Sequence, residues 1–256
     1  MLNWNPQQYL KFAGERTQPS IDLAARIAVD NPTHVIDIGC GPGNSTQVLT
    51  KRWPAAKVLG LDSSAEMISK ASKDYPELEW VTADASEYEF RRKYDVVFSN
   101  AALQWIPDQE HVIVKLLSAV SEGGVLAVQV PADVNSHLRK AVIATAAERR
   151  WSALAEGAEN VIVYHDVDFY YDLVSTTAIR LDIWETIYYH VLDSHRDLVE
   201  WYKGTGMRPF LERLPDDASR DEFEEEVLRK ISGVYKISGN GKLLYPFRRI
   251  FFVAYK

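Results

Sequence analysis

Five short apolar runs occupy the first half of the chain: HVIDIG (34–39), KVLGLD (57–62), LEWVTAD (78–84), YDVVFSN (94–100) and GVLAVQV (124–130). Between them lie amphipathic stretches over 44–52, 64–74 and 109–121, with a weaker one after Asp84. Strands that alternate with helical spacers of about 10 to 15 residues pair in parallel through right-handed crossovers. The pattern predicts a doubly wound α/β domain. Two later strands, 177–191 and 247–256, bring the expected sheet to seven strands, mostly parallel with an antiparallel edge.

The flanks differ in texture. Asn5 and Pro6 suit the start of a short helix through QQYLKFAGER, followed by a second helix over about 20–29. Beyond the fifth strand the pattern predicts helices at 135–155, 168–175, within SHRDLVEWYKGTG, and at 219–231. No linker rich in Gly, Ser or Pro interrupts the chain. A single domain is expected, with cap helices over 1–30, a ligand-binding core over 31–131 and a substrate-side half over 132–256 whose helices around 135–155 and 195–236 form a lid.

Between the first strand and its helix the chain reads VIDIGCGPGNST (35–46). A dinucleotide-binding turn follows G-x-G-x-x-G and holds a pyrophosphate on backbone amides. Here Gly39, Gly41 and Gly43 follow G-x-G-x-G, Pro42 removes an amide donor, and Asp37 places a negative charge at the mouth of the loop. A phosphate is poorly served, whereas an ammonium or sulfonium cation, such as the methionine part of S-adenosylmethionine, is attracted. Cys40, the one cysteine, is a small filler between glycines and excludes an internal disulfide. Asp62 and Ser63 end the second strand, where a carboxylate accepts both hydroxyls of a ribose. Asp84 is placed to accept from an adenine amino group, with Ala83 and Ala85 as a flat wall and Met67 packing on the adenine face. Asn100 closes the fourth strand at the same carboxyl edge. Each acid alone has an ordinary alternative as a helix cap; four polar groups ending four successive strands argue for a ligand.

VIDIGCGPGNST, LGLDSS, TADAS and SNAALQW resemble the successive motifs of the class I S-adenosylmethionine-dependent methyltransferases, whose sheet is Rossmann-like. Together with WNPQQYLKF, ERTQP, NAALQWIPD, GGVLAVQVP, IWETIYYHVLDS and TGMRPFLERL the likeness extends over nearly the whole chain to the trans-aconitate methyltransferase family. The resemblance implies esterification of a carboxylate of trans-aconitate, or a close tricarboxylic acid, with release of S-adenosylhomocysteine.

A carboxylate is already ionised at neutral pH, so this reaction asks for positioning and needs no general base. The sequence carries no triad or metal-ligand spacing, and neither a catalytic side chain nor a metal is expected. A polyanionic acid does need donors, arginine above all. Arg208, in TGMRPF and following Gly204 and Gly206, is the first candidate. Tyr188, Tyr189 and His190 lie in the strand before it, with Tyr188 and His190 on one face and Tyr189 on the other. Tyr9 and Arg16 on the leading helices are placed to close over the cofactor's carboxylate or the substrate, and Trp105 to wall the transfer channel. Arg248 and Arg249 are read as solubilising an edge strand.

A formal charge of −7 argues against a nucleic-acid partner. No apolar run has the roughly 18 residues needed to span a bilayer and the first residues lack the order of a secretion signal, so a cytoplasmic protein with a small organic acid as partner is expected, as a monomer or weak dimer. Alternatives are another free or carrier-bound acid as acceptor, or a non-catalytic S-adenosylmethionine-binding module; a nicotinamide oxidoreductase ranks last.

Overall fold

A computed structural model describes residues 13–256, leaving out the side chains of Ala13, Glu15 and Arg16. The helix expected from Asn5, Tyr9, and the contacts of Arg16 therefore lie outside what is described. The described residues begin with α1 (Ala13–Arg26) and then alternate β1 (His34–Ile38), α2 (Asn44–Arg52), β2 (Lys57–Asp62), α3 (Ala65–Asp74), β3 (Glu79–Thr82), β4 (Tyr94–Asn100), α4 (Gln109–Ala119) and β5 (Val120–Pro131). There follow α5 (His137–Ala146), α6 (Val167–Ser175), β6 (Arg180–Leu192), α7 (His195–Lys203), α8 (Arg208–Leu211), α9 (Asp217–Ser232) and β7 (Leu243–Tyr255). The seven strands form one sheet in the order β3-β2-β1-β4-β5-β7-β6, with β7 antiparallel to both neighbours. This is the expected doubly wound α/β sheet. Strand order reverses between β1 and β4, the place where open α/β sheets form a ligand crevice at their carboxyl edge.

Helix starts follow from capping side chains. Ser64 accepts from the Met67 amide ahead of α3, Asp108 from His111 ahead of α4, and Ser136 from Arg139 ahead of α5. Two expected helices depart from the sequence pattern. After Asp84 there is only a turn, because the Ser86 amide and hydroxyl both donate to Asp84 Oδ1 (2.8 and 2.6 Å) and close the chain locally. The helix expected to run to 155 stops at Ala146, and the following turns bury Trp151, whose Nε1 donates to Glu226 Oε2 of α9 at 2.7 Å. At the start, α1 is continuous through Pro19 rather than beginning near 20, held by Leu23 and Ala24 against the sheet.

Among the described residues three apolar clusters hold the fold. One packs α1 and α2 on one sheet face, and a second packs α4 and α6 on the other. The third is separate: α5, Trp151, α7, α8 and α9 close over Leu192, Leu243, Tyr245 and Phe247. These strand residues belong to a two-stranded ribbon, since β5 ends at Pro131 opposite Arg249 while β6 and β7 stay paired on to Leu192 and Leu243. The ribbon carries the helical cap past the carboxyl edge of the sheet. Among the described residues no helix is long and apolar enough to cross a membrane.

Candidate active site

The glycine loop after β1 spends its amides internally. Gly39 and Cys40 both donate to the Leu61 carbonyl (2.7 and 3.0 Å), Gly41 to Asp62 Oδ2 (2.8 Å) and Gly43 to the Cys40 carbonyl (3.1 Å), while Pro42 has no N–H. No amide from Gly39 to Gly43 is left to cradle a phosphate. Gly39, Gly41 and Gly43 all have positive φ (69°, 55° and 95°). At Gly39 a Cβ would fall 2.2 Å from the Ala102 Cβ, whereas at Gly41 it would meet nothing within 4 Å and would project into open space.

That space is a cleft of about 210 Å³ lined by Gly39, Gly41, Asp62, Ser63, Met67 and Asp84, among others, and closed by Asn100, Ala101 and Trp105. Asp62 is fixed twice, accepting from the Gly41 amide on Oδ2 and from the Ser64 amide (2.9 Å) on Oδ1. Burial pushes its carboxyl upward and those two amides oppose the shift. Each oxygen keeps a lone pair for a ligand hydroxyl. Met67 and Ala85 are buried beside it, and Asn100 is buried with an Oδ1 that has no hydrogen-bond partner. Among the described residues no lysine or arginine lines this cleft. A nucleoside joined to a cationic group fits the donor set: acceptors for hydroxyls and amines, an apolar floor, and negative charge.

Asp37 and Cys40 do not share that wall. Asp37 is fully buried beneath the loop, not at its mouth, and its Oδ2 accepts from the Ser45 and Thr46 hydroxyls (2.6 and 2.7 Å) at the start of α2. Its carboxyl is pushed up to about 6, chiefly by burial. Its charge reaches the cleft only through the loop. Cys40 is also buried, its Sγ packed toward Gly60 and its thiol pushed well up by burial, which leaves it the filler role.

A second cavity adjoins the first and shares Ala101 and Trp105 with it. Its volume of about 70 Å³ holds several water-sized groups, since one such group needs roughly 10–15 Å³. Gln104 and Pro131 come from the sheet edge, Ile162 and Tyr164 from the segment after α5, and Trp201, Tyr202, Thr205 and Gly206 from the cap. Phe247 and Arg249 of β7 complete it. Ala101, between the two cavities, has φ 55°, the one non-glycine residue with positive φ among those described. Such strain gathers at functional sites. Here it is held by the Ala101 amide donating to the Gln129 carbonyl (2.9 Å).

Residues 35–124 match a family model described as a methyltransferase domain. The trans-aconitate 2-methyltransferase of Azoarcus sp. (strain BH72) is 40% identical over 254 residues, covering 99% of each chain, and that of Escherichia coli (strain 55989 / EAEC) is 37% identical over 99% of this chain and 98% of the relative. The chain belongs to the trans-aconitate 2-methyltransferase family. As a member of that family it is an S-adenosylmethionine-dependent methyltransferase. The fold is also that of the YcgJ protein from Bacillus subtilis, with a TM-score of 0.61 at 14% identity over 93% of this chain and 98% of that one.

Within this trans-aconitate 2-methyltransferase family member, Asp62, Ser63, Met67, Asp84, Ala85, Asn100, Gly39 and Gly41 share the first cleft and Trp105 joins it to the second. Four other expected residues stand elsewhere. Tyr188 donates to Asp22 Oδ2 of α1 at 2.5 Å, and packs with Phe251. Tyr189 is 59% exposed on the outer face of the ribbon. His190 is buried among Trp201, Tyr245 and Phe247 in the cap core. Arg208 is buried in α8, with Nε donating to Glu212 Oε1 at 2.7 Å, and is on the wall of neither cavity. The arginine that is on the wall is Arg249, read from sequence as an edge solubiliser. Strand alternation is the signal that separates it from its neighbour: Arg248 is exposed and pairs with Glu185, so Arg249 turns inward. Gln104, Tyr164 and Tyr202 had no comparable signal.

Proposed function

We propose that the chain esterifies a carboxylate of trans-aconitate, or of a close tricarboxylic acid, by in-line methyl transfer without a general base. The observation that carries this reading is the charge contrast of two joined cavities. Among the described residues, Asp62 and Asp84 are the charged groups lining the first and Arg249 is the charged group lining the second. A cationic donor and an anionic acceptor are thereby drawn to opposite sides of Ala101 and Trp105.

When bound, S-adenosylmethionine supplies an electrophilic methyl group on a sulfonium. Asp62 holds the ribose hydroxyls, Asp84 and Ala85 take the adenine, Met67 packs on it, and Asn100 offers its buried Oδ1 to the polar end. Asp37 adds a negative charge beneath the loop. A carboxylate acceptor needs no proton removed near pH 7, so the remaining residues position it and exclude water. Trp105 and Ala101 border the passage between the two cavities; Trp201, Tyr202 and Phe247 make the acceptor side apolar. The small acceptor cavity, roofed by the cap, favours a free acid over one carried on a protein. The test is labelled methyl transfer to a panel of organic acids, with calorimetry using S-adenosylmethionine and NAD. Esterification of trans-aconitate is expected; binding of NAD alone, or methylation confined to non-carboxylate acceptors, rejects the reading.

A further inference from the structure

Arg249 is only 4% exposed although it lines the acceptor cavity. Its Nη1 donates to Gln129 Oε1 at 3.1 Å, and its guanidinium lies 4.6 Å from the centre of the Phe247 ring. Gln129 is fully buried on β5, directly across the ladder from Asn100 of the cofactor cleft. Behind the cavity, Asp133 accepts from the Tyr245 hydroxyl at 2.8 Å and feels both Arg139 and Arg249. Arg139 in turn stands 4.6 Å over the ring of Tyr164, another wall residue. Arg139 and Arg249 thus both favour the charged form of Asp133, and Arg249 is also the charged group on the cavity wall.

The chemistry decides which part of the acid belongs here. A carboxylate that attacks a methyl sulfonium loses its charge as the ester forms. An arginine gripping that same carboxylate would stabilise it more before the reaction than in the transition state, and would slow transfer. A planar guanidinium is better matched to a carboxylate that stays ionised throughout. We infer that Arg249 is the specificity-determining residue of the acceptor cavity and takes a carboxylate of the acid other than the one esterified. This rests on the reading of the chain as a carboxyl methyltransferase.

Calorimetry on protein saturated with S-adenosylhomocysteine, titrated with trans-aconitate and with a monocarboxylic acid of similar length, tests it without turnover. Wild type is expected to prefer trans-aconitate by about 100-fold, the scale of a buried charge-assisted pair. Arg249→Gln should bring the two acids within about threefold, Arg249→Lys should restore part of the gap, and affinity for S-adenosylhomocysteine should not change. In turnover the loss should fall on KM for trans-aconitate, with kcat nearly kept. Gln129→Glu, which would set a carboxylate against the guanidinium, should abolish the preference as well and carries the test should Arg249→Gln not fold. Equal binding of both acids by wild type overturns the inference, as does a preference that survives in variants with normal S-adenosylhomocysteine affinity. If wild type esterifies no acid at all, the underlying reading fails; if it esterifies acids and the variants keep their preference, only the role of Arg249 falls.

Discussion

Around the first cleft, proposed for the cofactor, each acid is fixed by groups close to it in the chain or in a neighbouring loop: Asp84 by Ser86, Asp62 by Ser64 and by Gly41. Around the second cavity, proposed for the acceptor, the neighbours are distant, as Arg249 of β7 meets Gln129 of β5, Trp105 after β4 and Tyr202 of α7 across one small space. The first region is negative and built from strand ends; the second is positive, aromatic, and built where a ribbon carries a cap over the sheet. The difference suggests that the two sites can be damaged separately, although they share a wall.

The largest effect that would break this separation is expected at Gly39. Gly39→Ala forces a positive φ on alanine and drives a Cβ into Ala102. It should lower stability by about 2–4 kcal/mol, read as the thermal midpoint, and impair both cavities, since Ala102 borders the shared wall. Next, Asp62→Ala should weaken S-adenosylhomocysteine binding by about 100-fold, two charge-assisted hydrogen bonds' worth, with KM for the acid changed within a few fold. An equal loss on both ligands would show that the cavities are not independent. The mirror experiment is Gly206→Ala, whose Cβ would fall 2.1 Å from Tyr202 Cζ and displace that ring. KM for the acid should rise about tenfold, and cofactor affinity should stay within about twofold.

The smallest effect concerns Asp37. Its folded pKa of about 6 lies above the ordinary 3.8, so the folded chain binds the proton more tightly than the unfolded one. The resulting penalty is absent below about pH 4, grows through that window, and is complete above about pH 6. Asp37→Asn removes it. The stability of the variant relative to wild type should therefore improve by on the order of 1 kcal/mol between pH 5 and pH 7, measured by denaturant melts at both values. A difference that is flat with pH would show that the Ser45 and Thr46 hydroxyls already offset the burial.

The same contrast between the regions separates what was legible in the chain from what was not. Alternating strands and spacers, the interrupted glycine spacing, and the placing of Asp62, Met67, Asp84 and Asn100 on one cleft wall were readable because each lies at the end of its own strand or within two turns after it. Even there, burial was invisible: Asp37 reads as a charge at the loop mouth and proves to lie beneath it, since only the packing of α2 on β1 brings Ser45 and Thr46 to its oxygen. On the acceptor side Arg208 drew attention through its flanking glycines, yet α8 turns it toward Glu212.

The order of elements, the sheet class and the position of the glycine loop were determined by the sequence alone, since they rest on local periodicity and turn chemistry. Which of two adjacent arginines enters the site was decided only by tertiary structure. Side chains alternate along a strand, so the pairing of Arg249 with Pro131 and Thr186 sends Arg249 inward and Arg248 outward, and a slip of one residue would exchange them.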